Sequence, residues 1–282
     1  MMIRIIEFAA VMFTSVFSHV QGMILALNAP DEYKTRNAFQ NAVREWLPAW
    51  ASIALVTLVA FIQPEGLNAI GINPEVKTAN FAAAVEGFCW FAGVLILFYF
   101  IYRIVLGRKN PNDFDVRFSE RPEIVSVSAI RGSLERFVYL SILPVGVIAE
   151  EFVYRGYLVL LWGERSGDML LWGAASIGFS IIVHLYQGIN LRTLIIHLVL
   201  AASLTAVTIL TKNLLAAITG HLFNNLAFTL NTWRLADNQG LVTAEKSRTR
   251  MQEFFWVLFA CINFALVIAF FAWALEIRLA VS

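Results

Sequence analysis

Residues 147–158 read VIAEEFVYRGYL, which sets Glu150, Glu151 and Arg155 into an otherwise apolar run. On a helix Glu151 and Arg155 lie four apart on one face and can pair, whereas Glu150 points about 100° away. A structural ion pair accounts for Glu151 and Arg155 but leaves Glu150 unexplained. A lone carboxylate inside a bilayer costs about 3 kcal/mol on insertion scales and is by default a functional group. A second polar position is His184, in SIIVHLYQG, with Ser180 one turn earlier on the same face. The third is the pair His221 and Asn225 in ITGHLFNNLAF, again four apart and so stacked on one helix face. Taken singly, His184 reads as an interfacial or hydrogen-bonded residue, and His221 with Asn225 as an interhelical hydrogen-bond pair of the kind membrane bundles use. Together they offer a carboxylate, two imidazoles and a carboxamide. Converged, such a set could activate water for hydrolysis, bind a metal or relay protons.

Convergence requires the elements carrying these residues to meet. The chain has 282 residues, of which 59% are hydrophobic and 15% charged, and its mean hydropathy is +0.69. That apolar share exceeds what a soluble domain can cover with polar surface. The apolar residues come in blocks long enough to cross a bilayer as helix, which takes about 20 residues. The expected fold is all-α, a polytopic transmembrane helix bundle of about eight spans. They fall at roughly 6–27, 46–62, 81–106, 134–162, 168–187, 193–211, 213–230 and 253–276. The first is the weakest, because Glu7, His19 and Gln21 interrupt it, and it could instead lie in the interface. A site built from the three polar constellations then requires spans four, five and seven to meet.

Basic residues gather in three connections: Lys34, Arg36 and Arg44 in the first, Arg103 to Arg136 around the polar insertion 107–133, and Arg234 to Arg250 in 231–252. With eight spans these share one side, which the positive-inside rule makes cytoplasmic, placing both termini outside. The insertion, with Pro111, Pro122 and mixed charges, reads as a cytoplasmic connector with a short amphipathic helix. The organisation expected is N-terminal membrane helices and basic connector over 1–133, a catalytic helical core over 134–230, and a polar loop with a last transmembrane helix over 231–282. A net charge of +1 points to no nucleic-acid partner. Cys89 and Cys261 sit inside apolar blocks without ligand spacing and read as packing residues. The first block reads as a retained helix rather than a cleavable signal.

E-E-x-x-x-R at 150–155, H-L-Y-Q-G at 184–188 and H-x-x-x-N at 221–225, in that order, resemble the CPBP family. These are the CAAX prenyl endopeptidases and the bacteriocin-processing type of intramembrane glutamic protease, and the resemblance covers about 130–230. One departure is that the family's F-x-x-x-H would put phenylalanine at 180, where this chain has Ser180 next to Phe179. This reads as altered packing behind the site. His197 matches no family position and reads as structural.

The resemblance implies roles. Glu150 would activate water, His184 would help bind and orient it, and His221 with Asn225 would stabilise the oxyanion. Glu151 and Arg155 would be the supporting pair. A glutamate in a low-dielectric site is a more competent base near neutral pH, and donors aimed at an oxyanion contribute on the order of 3 kcal/mol each. The expected partners are the bilayer and a membrane-anchored protein or peptide substrate, in a bacterial plasma membrane, with an endoplasmic reticulum enzyme as the alternative. No cofactor is expected; zinc on Glu150, His184 and His221 is the alternative, although H-E-x-x-H is missing. The functional alternative is a non-catalytic scaffold or immunity protein of the same family. A proton-coupled transporter is disfavoured, since no interrupted pair of spans occupies corresponding halves.

Overall fold

Long apolar segments in lipid must satisfy their own backbone groups, which leaves the helix as the local solution. In the computed structural model, the residues described are 4–15, 38–73, 77–105, 130, 132–184, 191–238 and 250–275, and every regular element among them is helical. Eight helices are present among the described residues. They are α1 (residues 4–15), α2 (Ala38–Ile62), α3 (Lys77–Val105), α4 (Ser133–Ser166), α5 (Met169–His184), α6 (Leu191–Thr211), α7 (Leu214–Asn238) and α8 (Arg250–Leu275). A 3₁₀ turn, Gly66–Ile70, follows α2.

Helix α4 is the axis of the bundle. Its apolar stretch is 67% buried, against 17% for α8, so α4 is wrapped by protein while α8 faces outward. Over Phe152–Trp162 the helix widens from the α to the π hydrogen-bonding pattern, and Phe152 through Leu161 are buried on every side. A helix apolar all round belongs in an interior, and π segments are rare and frequent at functional sites. Pro144 lies one and a half turns or so upstream of Glu150 and removes one ladder bond. Around α4, α5 packs on the π segment, α6 packs between α5 and α7, and α7 touches both halves of α4. Helix α2 covers another flank of α4, and α3 lies along α7.

The largest core cluster joins α1, α2, the 3₁₀ turn, α4 and α7 through Val11, Val56, Ile70, Tyr154, Leu158 and Leu214. The turn closes against the bundle at Gly71, whose φ of 76° favours glycine. A side chain there would meet Leu160 and lie 2.9 Å from the Leu214 nitrogen. The Gly71 carbonyl accepts that same Leu214 N–H at 2.9 Å, joining the N-terminal third to the start of α7.

Among the described residues three helices, Ser133–Ser166, Leu194–Thr211 and Arg250–Ala274, are long and apolar enough to cross a membrane, and Trp46–Ile62 and Met169–His184 are shorter apolar helices. Exposed Phe254, Phe255, Leu258, Ile262 and Leu266 on α8 form the kind of apolar face that lipid solvates. The all-helical bundle is the one expected, but several helices outrun the expected spans: α7 continues to Asn238, α2 starts at Ala38, and Arg234 and Arg250 fall on helix. Cys89 and Cys261 are free thiols, and both are exposed rather than packed inside. The connections 16–37, 106–129 and 239–249, which hold most of the basic residues behind the topology argument, lie outside the described residues. So does 185–190, the remainder of H-L-Y-Q-G.

Candidate active site

The site grows from the last α-patterned turn of α4. Glu151 is fully buried and Arg155 is 1% exposed. Arg155 Nη1 donates to Glu151 Oε1 at 3.2 Å, the i,i+4 pair expected from the spacing. Its Nη2 reaches across to the Ala201 carbonyl of α6 at 3.3 Å, and its guanidinium lies 5.9 Å from the Tyr154 ring centroid. A buried charge persists when a partner and further hydrogen bonds satisfy it.

The same Glu151 oxygen accepts a second bond, from His221 Nδ1 on α7 at 2.7 Å. The glutamate read as half of a supporting pair is therefore also the carboxylate that orients the predicted oxyanion histidine. With Nδ1 donating to Glu151, Nε2 becomes the nitrogen of His221 that turns to other chemistry, the logic by which a carboxylate fixes a histidine tautomer. One turn on, Asn225 Oδ1 accepts from Asn224 Nδ2 at 3.1 Å. That contact takes up the carbonyl end of the Asn225 side chain and points its NH₂ donors away from Asn224. The sequence reading missed Asn224; its only signal was the doubled asparagine.

Glu150 lies on the adjacent face of α4 and is half-buried, in contrast to Glu151. Its charge acts on both His221 and Tyr154, so it lies in the neighbourhood of the Glu151–His221 pair. Tyr154, fully buried one turn from Glu150, meets Ser15 of α1 at 3.5 Å between hydroxyl oxygens.

His184 ends α5, and its Nδ1 donates to the Ser180 carbonyl at 2.6 Å. Ser180 thus contributes its backbone, while Phe179 packs at the edge of the main core cluster. The ring of His184 also stacks on that of His197 in α6, with centroids 4.9 Å apart and planes 32° from parallel. Helix α6 therefore supplies two groups to the site, His197 and the Ala201 carbonyl, one turn apart on one face. Spans four and seven meet directly, as the convergence argument required, and span five packs on the π segment of span four and on span six. Among the described residues no three His, Cys, Asp or Glu side chains are grouped to hold one metal ion.

A buried carboxylate–histidine pair on facing helices, with a second carboxylate on the adjacent face, thus lies within a bundle of apolar helices. Residues 132–227 match the family model described as Rce1-like, type II CAAX prenyl endopeptidase Rce1-like. The match spans about a third of the chain and includes every candidate site residue from Glu150 to Asn225. The core over 132–227 is thus similar to the type II CAAX prenyl endopeptidases, and the long apolar helices are those of an integral membrane protein. No curated protein and no solved structure matches the chain.

Proposed function

We propose that the protein is an intramembrane endopeptidase that hydrolyses a peptide bond of a membrane-associated protein or peptide by glutamate-activated water. Glu150 takes the proton of the attacking water, and His184 holds that water through its Nε2. The proton held at Glu150 then passes to the leaving amine, so none is gained or lost in the cycle. His221 Nε2 and the Asn225 amide face the oxyanion of the tetrahedral intermediate, each such donor contributing about 3 kcal/mol. Glu151, braced by Arg155, keeps His221 aimed. The observation that supports this division most directly is that the two glutamates are treated differently. Glu151 is fully buried and bonded to Arg155 and His221, whereas Glu150 is half-buried beside them. No metal takes part in this chemistry, and its setting is a bacterial plasma membrane.

The test is cleavage of a pool of membrane-anchored peptides by detergent-purified wild type and Glu150→Gln, read by mass spectrometry with and without chelator. Wild type should cleave in both conditions, and the variant should lose at least about a hundredfold, the usual contribution of a general base. Cleavage lost with chelator would transfer Glu150, His184 and His221 to metal ligation. Glu150→Gln restoring function in cells that lack the protein would support the scaffold alternative and sink the protease reading.

A further inference from the structure

His197 matches none of the motifs that carry the resemblance, and it reads from the sequence as a structural residue. The structure gives it a specific neighbour. Its ring lies 4.9 Å from that of His184, tilted by 32°, an offset arrangement within the range of favourable aromatic pairs. His184 stands at the C-terminal end of α5. Its Nδ1 donates to the Ser180 carbonyl at 2.6 Å, which holds one point of the ring. A flat group against the ring adds a second restraint on its orientation.

The placement of His197 follows from α6 as a whole. Ala201, Leu204, Thr205 and Thr208 form the buried stripe of that helix. His197 lies one turn before Ala201 on that stripe and is half-buried, while Ile195 and Leu198 on the neighbouring faces are exposed. The Ala201 carbonyl holds Arg155 at 3.3 Å. One rotational setting of α6 thus fixes Arg155, and through it Glu151 and His221, together with His184.

We propose that His197 is a positioning residue for His184: its ring face holds the His184 imidazole at the angle at which Nε2 meets the attacking water. This deepens the protease reading and rests on it for the catalytic part. The stacking requires a flat ring and not an imidazole in particular, so His197→Phe should preserve the arrangement and His197→Ala should release it.

The experiment uses the full chain in detergent micelles, with ¹⁵N-labelled histidine, in wild type, His197→Phe and His197→Ala. Nitrogen shifts of His184, assigned by loss of the signal in His184→Gln, report whether Nδ1 keeps its proton toward Ser180. Wild type and His197→Phe should share the Nδ1–H signature. In His197→Ala the signal should move toward the average of the two tautomers, and kcat on a cleaved peptide should fall about tenfold or more with KM little changed. An unaltered His184 signature in His197→Ala overturns the proposal, and so does its loss in His197→Phe. If His197→Ala does not fold, the His197→Phe arm still decides, because a need for the imidazole itself would show there. The nitrogen shifts need no substrate, so failure of the protease reading, seen as cleavage surviving in Glu150→Gln, is distinguishable from failure of this one.

Discussion

Glu151 Oε1 takes hydrogen bonds from both Arg155 and His221, at 3.2 and 2.7 Å, inside protein that excludes solvent from the carboxylate. Two roles are combined in that atom, and they can be separated by mutation. Arg155→Leu leaves a buried carboxylate without its cation and is expected to cost about 3–5 kcal/mol of stability. Replacing both partners, as Glu151→Leu with Arg155→Leu, removes the desolvation penalty together with the attraction, and such swaps are often near neutral. If the pair were only a tie between helices, the double variant would keep its activity. Because Glu151 also aims His221, kcat should instead fall by about a hundredfold or more; loss of the carboxylate that fixes a histidine tautomer costs about 10⁴ in the serine-protease triad. Thermal midpoints in detergent read the first quantity and peptide cleavage reads the second. A double variant that is both stable and active would return Glu151 to a purely structural role.

At the scale of elements, the close approach of α3 to α7 places His221. The Gly87 position of α3 meets the Ala216 carbonyl so tightly that no Cβ fits, and a Cβ at Gly220 would lie 3.1 Å from the Gly87 oxygen. Small residues let helix backbones approach where lipid gives no hydrophobic drive between them. Gly87→Val is therefore expected to push α7 off α3, costing about 1–3 kcal/mol by overpacking. Cleavage should fall with it, since Ala216 and Gly220 lie on the turns that lead into His221. Gly93→Val, on the same helix with open space around it, is the control and should leave cleavage intact. What could be read in the sequence was whatever one helix decides alone: the Glu151–Arg155 pairing and the shared face of His221 and Asn225. The rest depends on how helices rotate against each other. No spacing rule joins Glu151 to His221, seventy residues away. The π segment after Glu151 shifts every later face of α4 by a residue per turn, and the neighbours of Ala201 and His197 follow from packing of α6 that composition does not encode.

On the scale of the molecule, α7 is held at both ends and carries His221 and Asn225 between them. At its start, Asn213 caps the helix by accepting the Leu215 N–H at 2.9 Å, and it donates to Asn80 Oδ1 at 2.8 Å. Asn80, fully buried, donates in turn to the Asn73 carbonyl at 2.7 Å and the Ala274 carbonyl at 2.9 Å, so one carboxamide ties α3, α7, α8 and the chain before α3. At its end, beyond the expected span, Asp237 accepts two bonds from Arg136 of α4, at 2.8 and 2.6 Å. The two clamps differ in solvent, and so in energy. Asn80→Ala orphans several buried groups at about 1–3 kcal/mol each, with no dependence on pH. Asp237 is 48% exposed, so Asp237→Asn should cost only about 0.2–1 kcal/mol. That smaller cost carries a sign in pH. The paired hydrogen bonds from Arg136 hold the Asp237 carboxyl below its usual range. Its contribution is complete above the unfolded value of about 4 and is lost as pH falls through the lower folded value. Thermal midpoints measured in detergent from pH 7 to pH 3 should show wild type and Asp237→Asn converging in acid, while Asn80→Ala stays well below both throughout. A gap between wild type and Asp237→Asn that widened in acid would mean that the lower clamp on α7 is not the Arg136 pair. The site would then be anchored from the Asn80 end alone.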